Sequence, residues 1–254
     1  MFPRNIPEHN YIRVIDPFRI IGNVYFIGTY TASSHLIDTG DGLILIDVGY
    51  METAGLVIDG IHRLGFDPKD VKYIIQTHWH GDHTWGTPVI KALSGAKSTI
   101  GKDDAEKVLQ YDTPDIIVND GDVLTLGNTS IRFIHTPGHT KGTMSFVFDT
   151  VDNGKVYHVG MFGGAGANTL VAGHYDFDGA REAYRASLNR LRQEKVDVFI
   201  GNHTWNNDTA VKAEILKKTG ENQFIDDKLF YQFLDHCEAR LDRYIAKEKE
   251  DAKN

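Results

Sequence analysis

The sequence predicts an α/β fold in which two β-sheets pack together, helices cover both outer faces, and ligands gather at one edge. Three observations predict it. Short apolar runs rich in Val, Ile, Phe and Tyr, bounded by Gly and Asp, recur along the chain and read as strands. The order strands, helix, strand occurs twice. Each half ends a buried strand at a histidine-bearing loop.

The elements follow in order. Val24–Ile27, His35–Asp38 and Leu43–Val48 are the first strands, with Thr39-Gly40-Asp41-Gly42 as the turn between the last two. A helix follows, because Ala54, Val57, Ile58, Ile61 and Leu64 share one face, and Gly65 stops it in a left-handed conformation. Tyr73–Gln76 is a strand that leads straight into His78. Val123–Leu126, Ile131–His135, Ser145–Phe148 and Lys155–Val159 form a run of strands. A helix over Gly179–Leu191 leads to the strand Val196–Ile200, which ends at His203. Phe230, Phe233, Leu234, Cys237, Leu241 and Ile245 make one stripe of a long C-terminal amphipathic helix. No Pro/Gly/Ser-rich linker interrupts the chain, so one domain is expected over residues 1–254.

Composition narrows the chemistry. The chain has 254 residues, 41% of them hydrophobic and 24% charged, enough to bury a substantial core. The formal charge is −8 and no basic stripe precedes the Lys-rich tail, which argues against nucleic acid as a partner. No stretch approaches the about eighteen apolar residues of a membrane span. The opening MFPRNIPEHN lacks the charged start and apolar run of a signal peptide. The chain reads as cytoplasmic, or as a secreted or periplasmic protein whose leader has been removed. Nothing in the sequence speaks to an oligomeric state. The lone Cys237 reads as a small core residue, so a metal site must be built from histidine and carboxylate.

The strongest signal is His78-Trp79-His80-Gly81-Asp82-His83, four metal-capable side chains directly after an apolar strand. Imidazole and carboxylate suit Zn²⁺, which takes about four ligands. Four donors this close in sequence divide easily between two adjacent ions. Thr136-Pro137-Gly138-His139-Thr140 places a second histidine at a loop tip and offers a third nitrogen to one ion. Gly201-Asn202-His203 repeats the design and would complete the other.

The H-x-H-x-D-H run, the later P-G-H-T, the final strand-end histidine and Leu45-Ile46-Asp47-Val48-Gly49 resemble the metallo-β-lactamase superfamily across nearly the whole chain. The resemblance implies a four-layer αββα sandwich of two mixed β-sheets flanked by helices. It also implies two zinc ions per chain. By motif position, His78, His80 and His139 would hold the first and Asp82, His83 and His203 the second.

One departure stands out. Glyoxalase II-like and lactonase-like members usually carry a bridging Asp in a G-D segment, whereas here the matching stretch is His158-Val159-Gly160-Met161-Phe162-Gly163. Asp82 is then the one anionic ligand, a pattern similar to the five-His/one-Asp subclass of metallo-β-lactamases. Met161 is expected to line the site with a thioether wall, and Met161→Asp to hold metal more tightly while hydrolysing amides less well; the alternative is that Met161 merely packs beneath the site, with Met161→Leu and Met161→Asp hydrolysing every substrate at similar rates.

The resemblance thus implies a zinc-dependent hydrolase whose metal-bridging hydroxide opens a cyclic amide of β-lactam type, with Asp82 anchoring the second zinc and orienting the nucleophile. A lactone or thioester hydrolase of the same fold is the alternative. A flavodiiron-type redox protein is disfavoured by His80 and the short chain, and a non-catalytic metal binder by the near-complete ligand set. Asp47 either fixes the tautomer of a ligating imidazole or closes the turn at Gly49. His35 and His135 read as satisfied core histidines, and His174 as a solvated loop residue.

Overall fold

The computed structural model describes residues 14–253. The opening segment MFPRNIPEHN, read above for a signal peptide, lies outside them. The first sheet has seven strands in sequence order: β1 (Phe18–Ile21), β2 (Val24–Phe26), β3 (His35–Asp38), β4 (Leu43–Ile46), β5 (Val71–Ile75), β6 (Lys97–Gly101) and β7 (Ile116–Val118). β1 to β4 run antiparallel, and β4 to β7 run parallel. The second sheet is ordered β12-β11-β10-β9-β8, built from β8 (Val123–Leu126), β9 (Thr129–His135), β10 (Met144–Asp152), β11 (Lys155–Met161) and β12 (Val198–Phe199). Only its β11–β12 pair is parallel. Both sheets are therefore mixed.

Strand alternation divides the apolar side chains into three cores. Ile37, Ile44, Ile46 and Ile75 meet Ile131, Phe133, Phe146, Val159 and Met161 in the core between the sheets. Leu36, Leu43, Leu45 and Ile74, from the opposite face of the first sheet, pack on Val57 and Ile61 of α1 (Ala54–Arg63) and on Ile90 beyond α2 (Gly81–Thr84), in α3 (Thr87–Ser94). A short α4 (Ala105–Val108) follows β6. The outer face of the second sheet is covered by Tyr184, Leu188 and Leu191 of α5 (Ala180–Leu191) and, past α6 (Thr209–Thr219), by Phe230, Leu234, Cys237 and Leu241 of α7 (Leu229–Asp251). These layers are the αββα sandwich. Each fully buried Leu, Ile or Phe contributes about 1.5–3 kcal/mol relative to exposure, so both helical layers are firmly held.

Several elements depart from the expectation. β6 has no apolar alternation, yet Ser98 and Thr99 are buried, and the Ser98 hydroxyl donates to Asp112 (2.7 Å). β10 extends to Asp152 because it pairs with β11 along its length, exposed positions included. β12 keeps only two residues of the predicted five. Cys237 is 3% exposed, and burial pushes its thiol up to about 12, so it acts as a core residue. Among the described residues no helix is long and apolar enough to cross a membrane.

Candidate metal centre

The six predicted residues converge where strand ends of the two sheets meet, which is where open α/β sheets place their ligands. Asp47 follows β4, and Thr77 and His78 follow β5. His139 lies in the loop from β9 to β10, and His203 lies beyond β12. The seam is stitched by backbone: Met144 N–H donates to the Thr77 carbonyl (2.9 Å), and Ser33 N–H to that of Asn202 (2.9 Å). Within the H-x-H-x-D-H run the backbone is extended at His80 and helical from Gly81. That change of direction sends His78 and His80 to one side and Asp82 and His83 to the other.

Two groups result, His78/His80/His139 and Asp82/His83/His203, each with its donor atoms within 4.8 Å of one another. In the first group the ring centroids are 4.6–4.8 Å apart. His78 and His83 join the groups at 4.3 Å.

Hydrogen bonds fix which nitrogen each ring offers. His83 Nδ1 donates to Asp47 Oδ2 (2.7 Å), and His139 Nδ1 to the Gly166 carbonyl (2.7 Å). His203 Nδ1 donates to the Thr31 carbonyl (3.3 Å). Thr77 Oγ1 spends its proton on Asp47 Oδ2 (2.8 Å), so His78 Nδ1 must donate to Thr77 Oγ1 (3.1 Å). In all four rings Nε2 is left for the centre. His78 Nε2 is buried with no hydrogen-bond partner among the described residues, and the Nε2 atoms of His83 and His203 face each other at 3.3 Å. Facing nitrogens and an orphaned buried nitrogen need something electron-poor between them. A nitrogen and carboxylate set without thiolate fits Zn²⁺.

The electrostatics agree. Burial holds His78 well below the ordinary imidazole range, and with neighbouring imidazoles sets His139 to about 3 and His203 to about 4. These rings stay neutral and able to coordinate. Burial also acts to depress His83, but Asp82 and Asp47 outweigh it and lift that ring to about 10. A proton there stands in for the cation the two carboxylates favour. Burial acts to raise Asp82, and His83, His203 and His80 overcome it and hold the carboxyl low.

Asp47 resolves in favour of the imidazole. It is 0% exposed and accepts from Thr77 N–H (2.9 Å), Thr77 Oγ1 and His83 Nδ1, at a left-handed φ of 53°. His174 is exposed, as expected. His135 donates to the Lys141 carbonyl (2.8 Å). His35 is buried beside the Phe26 ring, and burial takes it down to about 3; it is not fully satisfied, since its Nδ1 lacks a partner among the described residues.

Met161 corrects the expectation. It is 1% exposed and packs in the core between the sheets, paired in register with Phe146, which favours packing beneath the site over a thioether wall. The chain lines His139 instead with backbone at Gly164 and Gly166, where a Cβ on Gly166 would stand 3.0 Å from the His139 ring.

Sequence reading missed Thr77, the Gly166 and Thr31 carbonyls, and Asp104. Thr77 could have been found, since it directly precedes the motif. The carbonyls have no sequence signal. Asp104 sits in Lys102-Asp103-Asp104, which reads as a solvated charge run but places Asp104 at 0% exposed, where burial pushes its carboxyl up to about 6. An open cleft of about 770 Å³ lined by Lys155, Lys212 and Asn222 shares no residue with either group.

Known proteins resemble this chain in fold and in sequence. The structure is similar to a subclass B3 metallo-beta-lactamase of Bradyrhizobium japonicum at a TM-score of 0.88 and 28% identity, covering 96% of this chain and 98% of that one. A lactamase-like protein of Emericella nidulans is 33% identical over 134 residues, 52% of this chain and 38% of its own length. A hydroxyacylglutathione hydrolase of Methylococcus capsulatus is 30% identical over 139 residues, 55% of this chain and 49% of its own length. The matches thus span less than half of these two curated relatives; other curated matches are named thioesterase and N-acyl homoserine lactonase. The profile of the metallo-beta-lactamase superfamily matches residues 27–203, which include all six residues of the centre, and the chain belongs to that superfamily.

Proposed function

We propose that this chain is a zinc-dependent hydrolase that opens a cyclic amide of β-lactam type in a small-molecule substrate. His78, His80 and His139 hold one zinc; Asp82, His83 and His203 hold the second. The observation that carries this reading is the pair of three-residue groups in which His78, His83, His139 and His203 use Nδ1 elsewhere and leave Nε2 for the centre.

When bound, the two ions supply a water acidic enough to ionise near neutral pH and an electrophilic contact for a carbonyl oxygen. The chain's residues do the rest. Asp47 and the Gly166 and Thr31 carbonyls keep the imidazoles in the coordinating tautomer. Asp82 directs Oδ2 toward His83 (3.4 Å) and His203 (3.7 Å), where it would anchor the second zinc and orient the nucleophile. This is the sense in which Asp82 is catalytic.

The amide reading is supported by the five-His/one-Asp set and by likeness to a subclass B3 enzyme over 96% of the chain. The second reading, a lactone or thioester hydrolase, is favoured by the curated relatives named lactonase, thioesterase and hydroxyacylglutathione hydrolase. Purified protein should contain close to two zinc equivalents and turn over β-lactams in a panel that includes lactones and thioesters. A stoichiometry of one, unchanged by added zinc, would sink the binuclear reading. Turnover confined to lactones or thioesters would replace the first substrate class with the second.

A further inference from the structure

The two groups differ in charge. Asp82 and Asp47 bring carboxylates to His83 and His203, whereas His78, His80 and His139 are three neutral imidazoles from two separate loops. Nothing within that set fixes how far the loops stand apart. A fully buried carboxylate, Asp104, lies between them and bonds to both.

Asp104 follows β6 and accepts three hydrogen bonds, all from the two loops. Its Oδ2 takes the backbone N–H of Trp79 (3.1 Å), the residue between His78 and His80. The same oxygen takes the Thr140 hydroxyl (2.6 Å), and Oδ1 takes the Gly142 N–H (2.7 Å), both just past His139. The Thr140 proton is committed to Asp104, so the Thr143 hydroxyl donates to Thr140 Oγ1 (2.8 Å) and steadies it. The close approach depends on glycine: a Cβ on Gly142 would lie 2.3 Å from Asp104 N and 2.6 Å from its Cγ.

We propose that Asp104 is a positioning residue for the His78/His80/His139 site. Its carboxylate sets the spacing of the two loops and places a buried negative charge behind a set whose three members are all imidazoles. It is the counterpart, for the first site, of Asp47 for the second. The inference rests on the functional reading above, since it presumes that both groups bind metal.

The test is a chelator-competition titration with Zn²⁺ and with Co²⁺, whose absorption reports ligand geometry, on wild-type protein, Asp104→Asn and Thr140→Val. His139→Ala and Asp82→Asn assign each binding phase to its group. Thermal unfolding of the metal-free proteins accompanies the titration.

Asp104→Asn removes the charge and turns an amide N–H₂ toward hydrogen-bond donors. It should weaken the first phase by about 10–100-fold, alter the Co²⁺ spectrum of that site, and leave the second phase in place. Thr140→Val keeps the charge and loses one bond, so the first phase should weaken by less, about threefold to tenfold. It serves as the test if Asp104→Asn fails to fold. A purely structural role would lower metal-free stability and move both phases together; that result, or two unshifted phases in a folded variant, overturns the inference alone. A wild-type protein that takes up fewer than two ions overturns the functional reading, and this inference with it.

Discussion

The two ligand groups obtain order and charge in opposite ways. Asp82 and His83 are consecutive in α2, and His203 reaches them from the other sheet, so one carboxylate is part of the set and a second, Asp47, is bonded to it. The other group has three histidines and no anion, and its loops meet over Asp104. One site carries its charge among its ligands; the other depends on a side chain behind them. Two sites a ring's width apart should therefore respond differently to the same kind of substitution.

The harshest test is to give both groups a shared anion. Relatives with a bridging Asp place it where Met161 stands, and the sequence suggests that Met161→Asp would bind metal more tightly. The structure reverses that expectation. Met161 is 1% exposed between Phe146 and Val159, so a carboxylate there enters an apolar core without a partner. Met161→Asp should lose roughly 3–5 kcal/mol of stability, the scale of an uncompensated buried charge. Met161→Leu should cost less than about 1.5 kcal/mol. Chemical denaturation of both variants decides it; equal stabilities together with tighter zinc binding by Met161→Asp would restore the thioether-wall picture.

Met161 also marks the limit of what the sequence shows. The six residues of the two groups were legible because metal binding demands particular side chains, and those types stand out in a sequence. The sheets were legible where burial writes alternation, as at Ile44–Ile46 and Ile131–Phe133. They were not legible at Lys97–Gly101, whose place is held by backbone pairing and polar bonds to Asp112 and Asp115. Whether Met161 faced the centre or the core depended on a one-residue register, and no composition rule sets that. Asp104 is the same case in reverse: a charge in a charged stretch, made structural by what the fold packs over it.

The next largest effect separates the groups directly. Asp82→Asn keeps the shape and removes the one ligand carboxylate, so the second binding phase should weaken by at least about a hundredfold, more than is usual for losing a partner behind the ligands. Turnover should fall steeply with it. His139→Ala should weaken the first phase instead. If either variant kept full metal and wild-type turnover, the assignment of donors to groups would be wrong.

The smallest effect is the most informative, because Asp47 touches both groups by different routes. It takes the His83 Nδ1 proton directly (2.7 Å) and reaches His78 through the Thr77 hydroxyl (2.8 and 3.1 Å). Its left-handed backbone tolerates Asn, so Asp47→Asn reports on the side chain without added strain. Asparagine has one acceptor oxygen, and its amide would face either the Thr77 N–H or the His83 Nδ1–H. The second phase should therefore weaken by about tenfold or somewhat more, within the range for a bonded partner of a ligating imidazole, and the first by less. Thr77→Val cuts only the relay to His78 and should shift the first phase alone. Chelator competition on the two variants reads both routes at once. A Thr77→Val shift in the second phase, or no shift in either phase with Asp47→Asn, would mean that this hydrogen-bond chain does not set the tautomers.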